Sequence, residues 1–326
     1  MTVLSRRHWM GATAGWTLAA PQGTAFAQSA PTGPVKIIVP YPPGAATDAL
    51  ARLLAQALEG AVGATFIVDN KGGGATQIGT KAVAAAAPDG QTLGFVDTAF
   101  VINPGLFGDA LPYDTLRDFT PVSLMAKAPL VLVVHPSVQA QDIRAFVALA
   151  KASPGTLNYG SADMGSAPHL AGEQLARAAG IRINHIPYRG GGTVLSDLLA
   201  GHIQFGFTTV PTMLAHIRSG AMRALAVTSP SGLLAGVPTF ADAGLAGVDA
   251  RPLFGLVAPA RTPAAVVSRL SDAAVNAVQK GPLRERLQEQ GFTPLGLPAA
   301  AFQARIATEI AKWREVIRAG GIKPDA

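Results

Sequence analysis

The chain has 326 residues, 49% hydrophobic and 14% charged, which is enough for a large core and more than one domain and too apolar for a disordered chain. The absence of cysteine excludes disulfides, thiolate metal sites, haem attachment, thiol nucleophiles and a lipid-bearing thiol. The formal charge of +6 comes from scattered bases, and the aromatics (6%) never interleave with a basic stripe, a pattern that argues against nucleic acid and suits a small anion.

Arg6 and Arg7 precede a weakly apolar run from Met10 to Ala20, and Ala25-Phe26-Ala27 fits an AxA cleavage pattern. Residues 1–27 are therefore expected to be a signal peptide that is removed. Ser5-Arg6-Arg7-His8-Trp9-Met10 has the twin-arginine form, with an ordinary secretion signal as the alternative. Its removal leaves 24 basic against 20 acidic residues, a charge of +4. No later stretch offers the ~20 uninterrupted apolar residues of a membrane span, so the mature protein is expected free in the periplasm.

Val35 to Val39 reads as a buried strand, followed by a loop stiffened by Pro40, Pro42 and Pro43 and freed at Gly44. Leu50, Leu53, Leu54, Ala57 and Leu58 then share one helical face, with Thr47 or Asp48 placed to cap it. A second strand (Thr65 to Val68) empties into Gly72-Gly73-Gly74-Ala75-Thr76 and a helix through Ala87. A third (Thr92 to Val96) ends at Asp97-Thr98-Ala99. In a parallel sheet such loops gather at one edge, over helix starts with unpaired N–H groups. They form half of a cleft.

Leu130 to Val134 and Phe254 to Val257 are apolar strands, each closed by a proline and followed by a helix. They are read as the places where the chain leaves the first domain and returns, giving residues 28–128 and 230–326 to one domain and 129–229 to the other. The second domain repeats the pattern. Leu157 to Tyr159 is followed by a loop at 160–166 and a helix from Ala167 to Ala179 with Pro168 in its first turn. Ile183 to Ile186 leads through Tyr188-Arg189-Gly190 into a helix ending near Leu199, and Ile203 to Phe207 ends at Thr208-Thr209. Phe302, Ile306, Ile310, Trp313 and Ile317 mark an amphipathic C-terminal helix that should pack on the first domain. The expected fold is α/β, with two domains, each a mostly parallel sheet flanked by helices, and a ligand cleft between them.

A ligand carboxylate in that cleft would be held by backbone N–H and hydroxyl groups. Helix dipoles add only ~0.3–1 kcal/mol each, against ~1.5–3 kcal/mol for each hydrogen bond to a charged group. Gly44, Gly74, Gly165 and Gly190 keep such backbone accessible, and Ala75, Thr76, Thr98 and Thr208 share the same loops. Ser161 and Ser166 are read as caps or as ligand contacts, and His169 as a ligand donor or a group packed at the domain edge. Asp48 suits a cap, whereas Asp97 and Asp163 are acids suited to a ligand hydroxyl or ammonium. There is no GxSxG, HExxH, Walker A or GxGxxG pattern. No histidines fall at metal-ligand spacing, so neither cofactor nor metal is expected.

Six segments, in order, carry a resemblance over essentially the whole mature chain: PYPPGAATDALARLLA (40–55), AAPDGQTLGF (86–95), LPYDTLRDFTPVSLMA (111–126), YGSADMGSAPHLAGE (159–173), HIPYRGGGTVLSDLLAG (185–201) and IRSGAMRALAVTS (217–229). They resemble the Bug-type solute receptors of tripartite tricarboxylate transporters. The resemblance implies a type II-like periplasmic binding protein, a monomer that closes on a small carboxylate and delivers it to membrane permease subunits. It points to Tyr41, Pro43, Gly44, Ala45, Thr47 and Asp48 on one side, Ser161, Gly165, Ser166 and His169 opposite, and Tyr188, Arg189 and Gly190 beside them. The chain departs from the usual pattern at Ala45, at 72–77 and at Thr208-Thr209, where a second glycine, Pro-Gly-Ala-Gly-Gly-Asn and an acid with asparagine are common. The alternatives are a sensing receptor for a two-component system and a periplasmic hydrolase.

Overall fold

The computed structural model describes residues 33–44 and 46–324, so the signal-peptide expectation and Ala45 lie outside the described residues. A six-stranded sheet has the order β11-β4-β10-β3-β1-β2, where β1 is Val35–Val39, β2 Phe66–Asn70, β3 Thr92–Val96, β4 Phe119–Lys127, β10 Leu253–Pro259 and β11 Thr293–Pro298. A five-stranded sheet has the order β7-β6-β8-β5-β9, with β5 Leu130–Val134, β6 Asn158–Ser161, β7 Asn184–Pro187, β8 Phe205–Thr209 and β9 Arg223–Val227. Both sheets are mixed: β1, β2 and β3 run parallel, as do β6, β7 and β8, while the crossing strands β4, β5 and β10 pair antiparallel with their neighbours. Helices flank both sheets.

Each parallel strand feeds a helix that returns across its sheet. Helix α1 (Ala46–Val62) buries Leu50, Leu54, Leu58 and Val62, the face expected from their spacing. It is followed by α2 (Gln77–Ala84), α3 (Ala99–Leu106), α4 (Ile143–Ala152), α5 (Ala167–Ala179), α6 (Gly191–Leu199) and α7 (Val210–Arg218). The chain then forms α8 (Ala264–Lys280), α9 (Pro282–Glu289) and α10 (Ala299–Gly320). Phe302, Ile306, Ile310, Trp313 and Ile317 of α10 are all buried, packed with α3 and β4 of the first sheet. Burial of each such side chain contributes ~1.5–3 kcal/mol.

The chain crosses between the sheets at Ala128-Pro129 and again over 228–252, and the two crossings lie side by side. Ala128 N–H donates to the Pro252 carbonyl at 3.0 Å, and Leu130 N–H to Thr228 Oγ1 at 3.0 Å. Paired crossings of this kind suit a hinge. Among the described residues no helix is long and apolar enough to cross a membrane.

Candidate ligand-binding site

The loops at the strand ends of both sheets face one another across a cleft. The first turns of α1, α5 and α6 line one cavity of about 70 Å³ through Thr47, Ala167 and Gly191, joined by Thr208 and Thr209 before α7. A first-turn N–H has no partner within its own helix, so this geometry aims donors and positive dipole ends at one small volume. Tyr41, Thr47, Asp97, Ser166 and Thr208, all expected from sequence, line this cavity. A second, open groove is lined by Pro43, Gly74, Ala75, Tyr188 and Arg189, with Asp163 among them.

The other expected residues lie behind these surfaces. Asp48 is the third residue of α1 rather than its cap. It accepts from Gly44 N–H at 3.1 Å and Asn70 Nδ2 at 2.9 Å and pairs with Arg52 at 3.0 Å. Burial alone would raise its carboxyl, but the Arg52, Asn70 and Gly44 bonds bring it below its ordinary value. Thr98 Oγ1 accepts from Leu253 N–H at 2.8 Å, which ties the end of β3 to the returning chain. Ser161 is fully buried, donates to the Asp163 carbonyl at 2.8 Å and meets His185 Nε2 at 2.7 Å. Ser166 caps α5, its Oγ accepting the His169 N–H at 3.4 Å. The His169 ring stacks on His185 with centroids 4.1 Å apart and accepts the Gly165 N–H at 3.2 Å. Burial, with His185 adding, pulls His169 down to about 3, so it stays neutral at physiological pH. These groups shape the loop from beneath.

Ala75 (φ 52°) and Thr76 (φ 70°) are consecutive non-glycine residues in the left-handed region, a conformation costing ~1–3 kcal/mol each. Asn103, fully buried on α3, holds the turn by donating from Nδ2 to the Ala75 carbonyl at 2.8 Å and to Thr76 Oγ1 at 3.3 Å. Across the cleft its Oδ1 abuts Gly165 (φ 70°), where an added Cβ would lie 2.8 Å away. Gly165 thus needs to be glycine for both conformation and contact. A methyl group at Gly190 would likewise sit 3.3 Å from the Pro42 ring, so the two sides of the cleft approach closely here. Asn103→Ala is expected to lower stability by ~1–3 kcal/mol through the stranded Ala75 carbonyl, as read from a urea unfolding midpoint.

Asp97 and Asp163 are partly buried acids of the cleft. Burial raises both to about 6, against opposing bonds from the Ala99 amide and the Tyr41 hydroxyl to Asp97 and from the Met164 and Ala75 amides to Asp163, with the Asp163 charge adding to the rise of Asp97. The Tyr41 hydroxyl is buried beside the Asp97 carboxyl, the acceptor it faces, in a geometry too poor for a full hydrogen bond. Burial, then the Asp97 charge, hold it well above its ordinary value. Apart from Thr212, the rest of the cavity wall is largely apolar, with Phe207, Phe254, Val194, Leu195, Leu198 and Met213. None of these was singled out from sequence, because an apolar side chain on a strand or helix carries no mark that separates cavity wall from core.

Residues 50–322 match the family model described as tripartite tricarboxylate transporter family receptor. Protein BugT of Bordetella pertussis is 37% identical over 315 residues, 96% of this chain and 95% of that protein. Among solved structures, R. palustris Rpa4515 with adipate superposes with a TM-score of 0.87 at 31% identity, over 90% of this chain and 99% of that one. The periplasmic binding protein BugD superposes with a TM-score of 0.86 at 29% identity, over 90% of this chain and 100% of its own.

Proposed function

Because the chain belongs to the tripartite tricarboxylate transporter receptor family, we propose that it captures a small organic carboxylate in the cleft and presents it to the membrane permease subunits of such a transporter. It acts in the periplasm as a monomer and makes or breaks no bond. Residues 28–128 with 230–326 form one closing lobe and 129–229 the other, turning about the paired crossings at Ala128-Pro129 and over 228–252.

The observation that carries this reading is the convergence of the starts of α1, α5 and α6 with the end of β8 on one cavity. The expected ligand-contact set is Tyr41, Thr47, Asp97, Ser166 and Thr208 at the cavity and Pro43, Gly74, Ala75, Tyr188 and Arg189 along the groove. Asp48, Thr76, Thr98, Ser161, Gly165 and His169 position these loops, and Gly44 and Gly190 give the chain its approach. Ser161 and His185 meet as a nucleophile and base would, yet Ser161 is fully buried and its hydroxyl is spent on the Asp163 carbonyl. That geometry favours a receptor over a hydrolase.

A thermal-shift screen of ligand-stripped mature protein against mono-, di- and tricarboxylates and acidic amino acids tests the proposal. A ligand at 100 times its dissociation constant adds about 2.7 kcal/mol of stability; no stabilisation by any carboxylate would overturn it. Export by the twin-arginine route is a separate expectation. Arg6→Lys with Arg7→Lys should leave the precursor unprocessed in the cytoplasm, whereas normal processing would assign an ordinary secretion signal.

A further inference from the structure

The segment that returns the chain to the first sheet is clamped to α5. Gln174, buried in the third turn of that helix, accepts the N–H groups of Asp249 and Ala250 on Oε1 at 3.2 and 3.1 Å and donates from Nε2 to Asp249 Oδ1 at 3.0 Å. Both lone pairs of the amide oxygen and one of the two N–H donors are thus engaged with the crossing. The other Asp249 oxygen accepts from Lys312 Nζ of α10 at 2.7 Å. These three side chains tie α5 to elements of the other lobe.

Both partners of the clamp lead to the cavity. α5 begins at Ser166 and Ala167 on the cavity wall, about 12 Å along the helix axis from Gln174. The crossing runs on from Ala250 to Pro252 and Phe254, which line the same cavity. It is fixed on the way, since the Pro252 carbonyl accepts the Ala128 N–H at 3.0 Å and Leu253 N–H donates to Thr98 Oγ1 at 2.8 Å. Two walls of the cavity, one from each lobe, are therefore joined behind it by a single side chain.

We propose that Gln174 is the joint of the hinge, a positioning residue that keeps the ligand-holding start of α5 in register with Pro252 and Phe254 as the lobes close. The inference rests on the receptor reading above, which defines the lobes and puts a carboxylate at the start of α5. Hinge motion is absorbed by a few backbone positions. With Asp249 and Ala250 held by α5 and Leu253 held by Thr98, the bend of the return crossing falls on Arg251 and Pro252, beside the outgoing crossing at Ala128. Lys312 reaches Asp249 on a long, half-exposed side chain that can follow the movement.

The test is double electron–electron resonance on the cysteine-free mature chain, spin-labelled through Ala61→Cys on α1 and Ala215→Cys on α7, both exposed. At pH 8 the near-isosteric Gln174→Glu sets a carboxylate against Asp249 Oδ1, and the distribution of inter-lobe distances should broaden. Adding Asp249→Asn restores the bond with donor and acceptor exchanged, and the distribution should narrow again. Titration calorimetry with the tightest wild-type binder among succinate, citrate, glutamate and benzoate should show at least about a fivefold loss of affinity in Gln174→Glu, most of it regained in the double variant. A lower unfolding midpoint with an unchanged distance distribution, or a double variant no nearer wild type than the single one, would mean that the amide only packs α5, and overturns the inference while the receptor reading stands. Binding of no carboxylate, in this set or in the wider screen, overturns the receptor reading, and the distances, measured without any acid present, decide the joint separately.

Discussion

Gly172→Ala should destabilise the protein by about 2–3 kcal/mol, although alanine is the better helix former by ~1 kcal/mol. Gly172 lies on α5 against the ring of Tyr159, and a Cβ there would overlap that ring. The ring cannot swing aside. It is fully buried, stacked on Phe205 with centroids 5.4 Å apart and packed on His185 at 4.9 Å. Its hydroxyl donates to the His169 carbonyl at 3.2 Å or to Glu173 at 3.0 Å. The helix must therefore move, and its first turn, with Ser166 and Ala167, lines the cavity. A fall in both the unfolding midpoint and ligand affinity is expected. A variant more stable than wild type would mean that the aromatic stack has room to give.

Asp97→Asn should have the opposite sign and depend on pH. The Asp97 carboxyl is raised from 3.8 to about 6 in the fold, by burial first and by Asp163 in addition. The unfolded chain releases this proton near 3.8 while the folded protein keeps it to about 6, so the wild-type protein loses stability as pH rises across that interval. The full shift is worth about 3 kcal/mol, and the partial exposure of the side chain reduces it to about 1–2 kcal/mol at pH 8. The amide that replaces the carboxyl has no proton to lose. The variant should be more stable than wild type by that amount at pH 8 and equal to it near pH 4, as read from denaturant midpoints at each pH. His169 (about 3) titrates in both proteins and cancels in the difference, whereas the repulsion between Asp97 and Asp163 (about 6) is lost in the variant and is part of its gain at high pH. A constant difference across the range would mean that the carboxyl is not held neutral. Gain of stability with loss of a ligand contact is the trade expected at a binding site.

The elements that could be read from sequence are those whose apolar runs are unbroken. VKIIV, TLGFV and LVLVV form strands at the expected residues because such runs have only one buried solution of that length. Strand β4 escaped notice because Pro121 and Ser123 interrupt it, yet both are accommodated between β10 and β11, and Ser123 donates to the Leu297 carbonyl. Helix α3, for which the sequence pattern offers no element after Asp97-Thr98-Ala99, runs through Pro104 to Leu106, with Asn103 engaged inward with the Ala75–Thr76 turn. The antiparallel pairing of the crossing strands depends on which sheet each one enters, information that no local pattern holds.

The site divides in the same way. Thr47, Ser166 and Thr208 could be found because small polar residues at strand-to-helix junctions have a local reason to be there. Asp48 faces Arg52 at i, i+4, a spacing that already suggests an internal pair. Phe207 and Phe254 come from different sheets, and only the fold brings them to one wall.

The most direct test of the central claim, that backbone donors at the converging helix starts hold a ligand carboxylate, compares the tightest-binding acid with its methyl ester by titration calorimetry. Two or more hydrogen bonds to a charged group at ~1.5–3 kcal/mol each predict that the ester binds at least ~100-fold more weakly. Equal binding of acid and ester would contradict the account, because the helix starts would then be facing no charge.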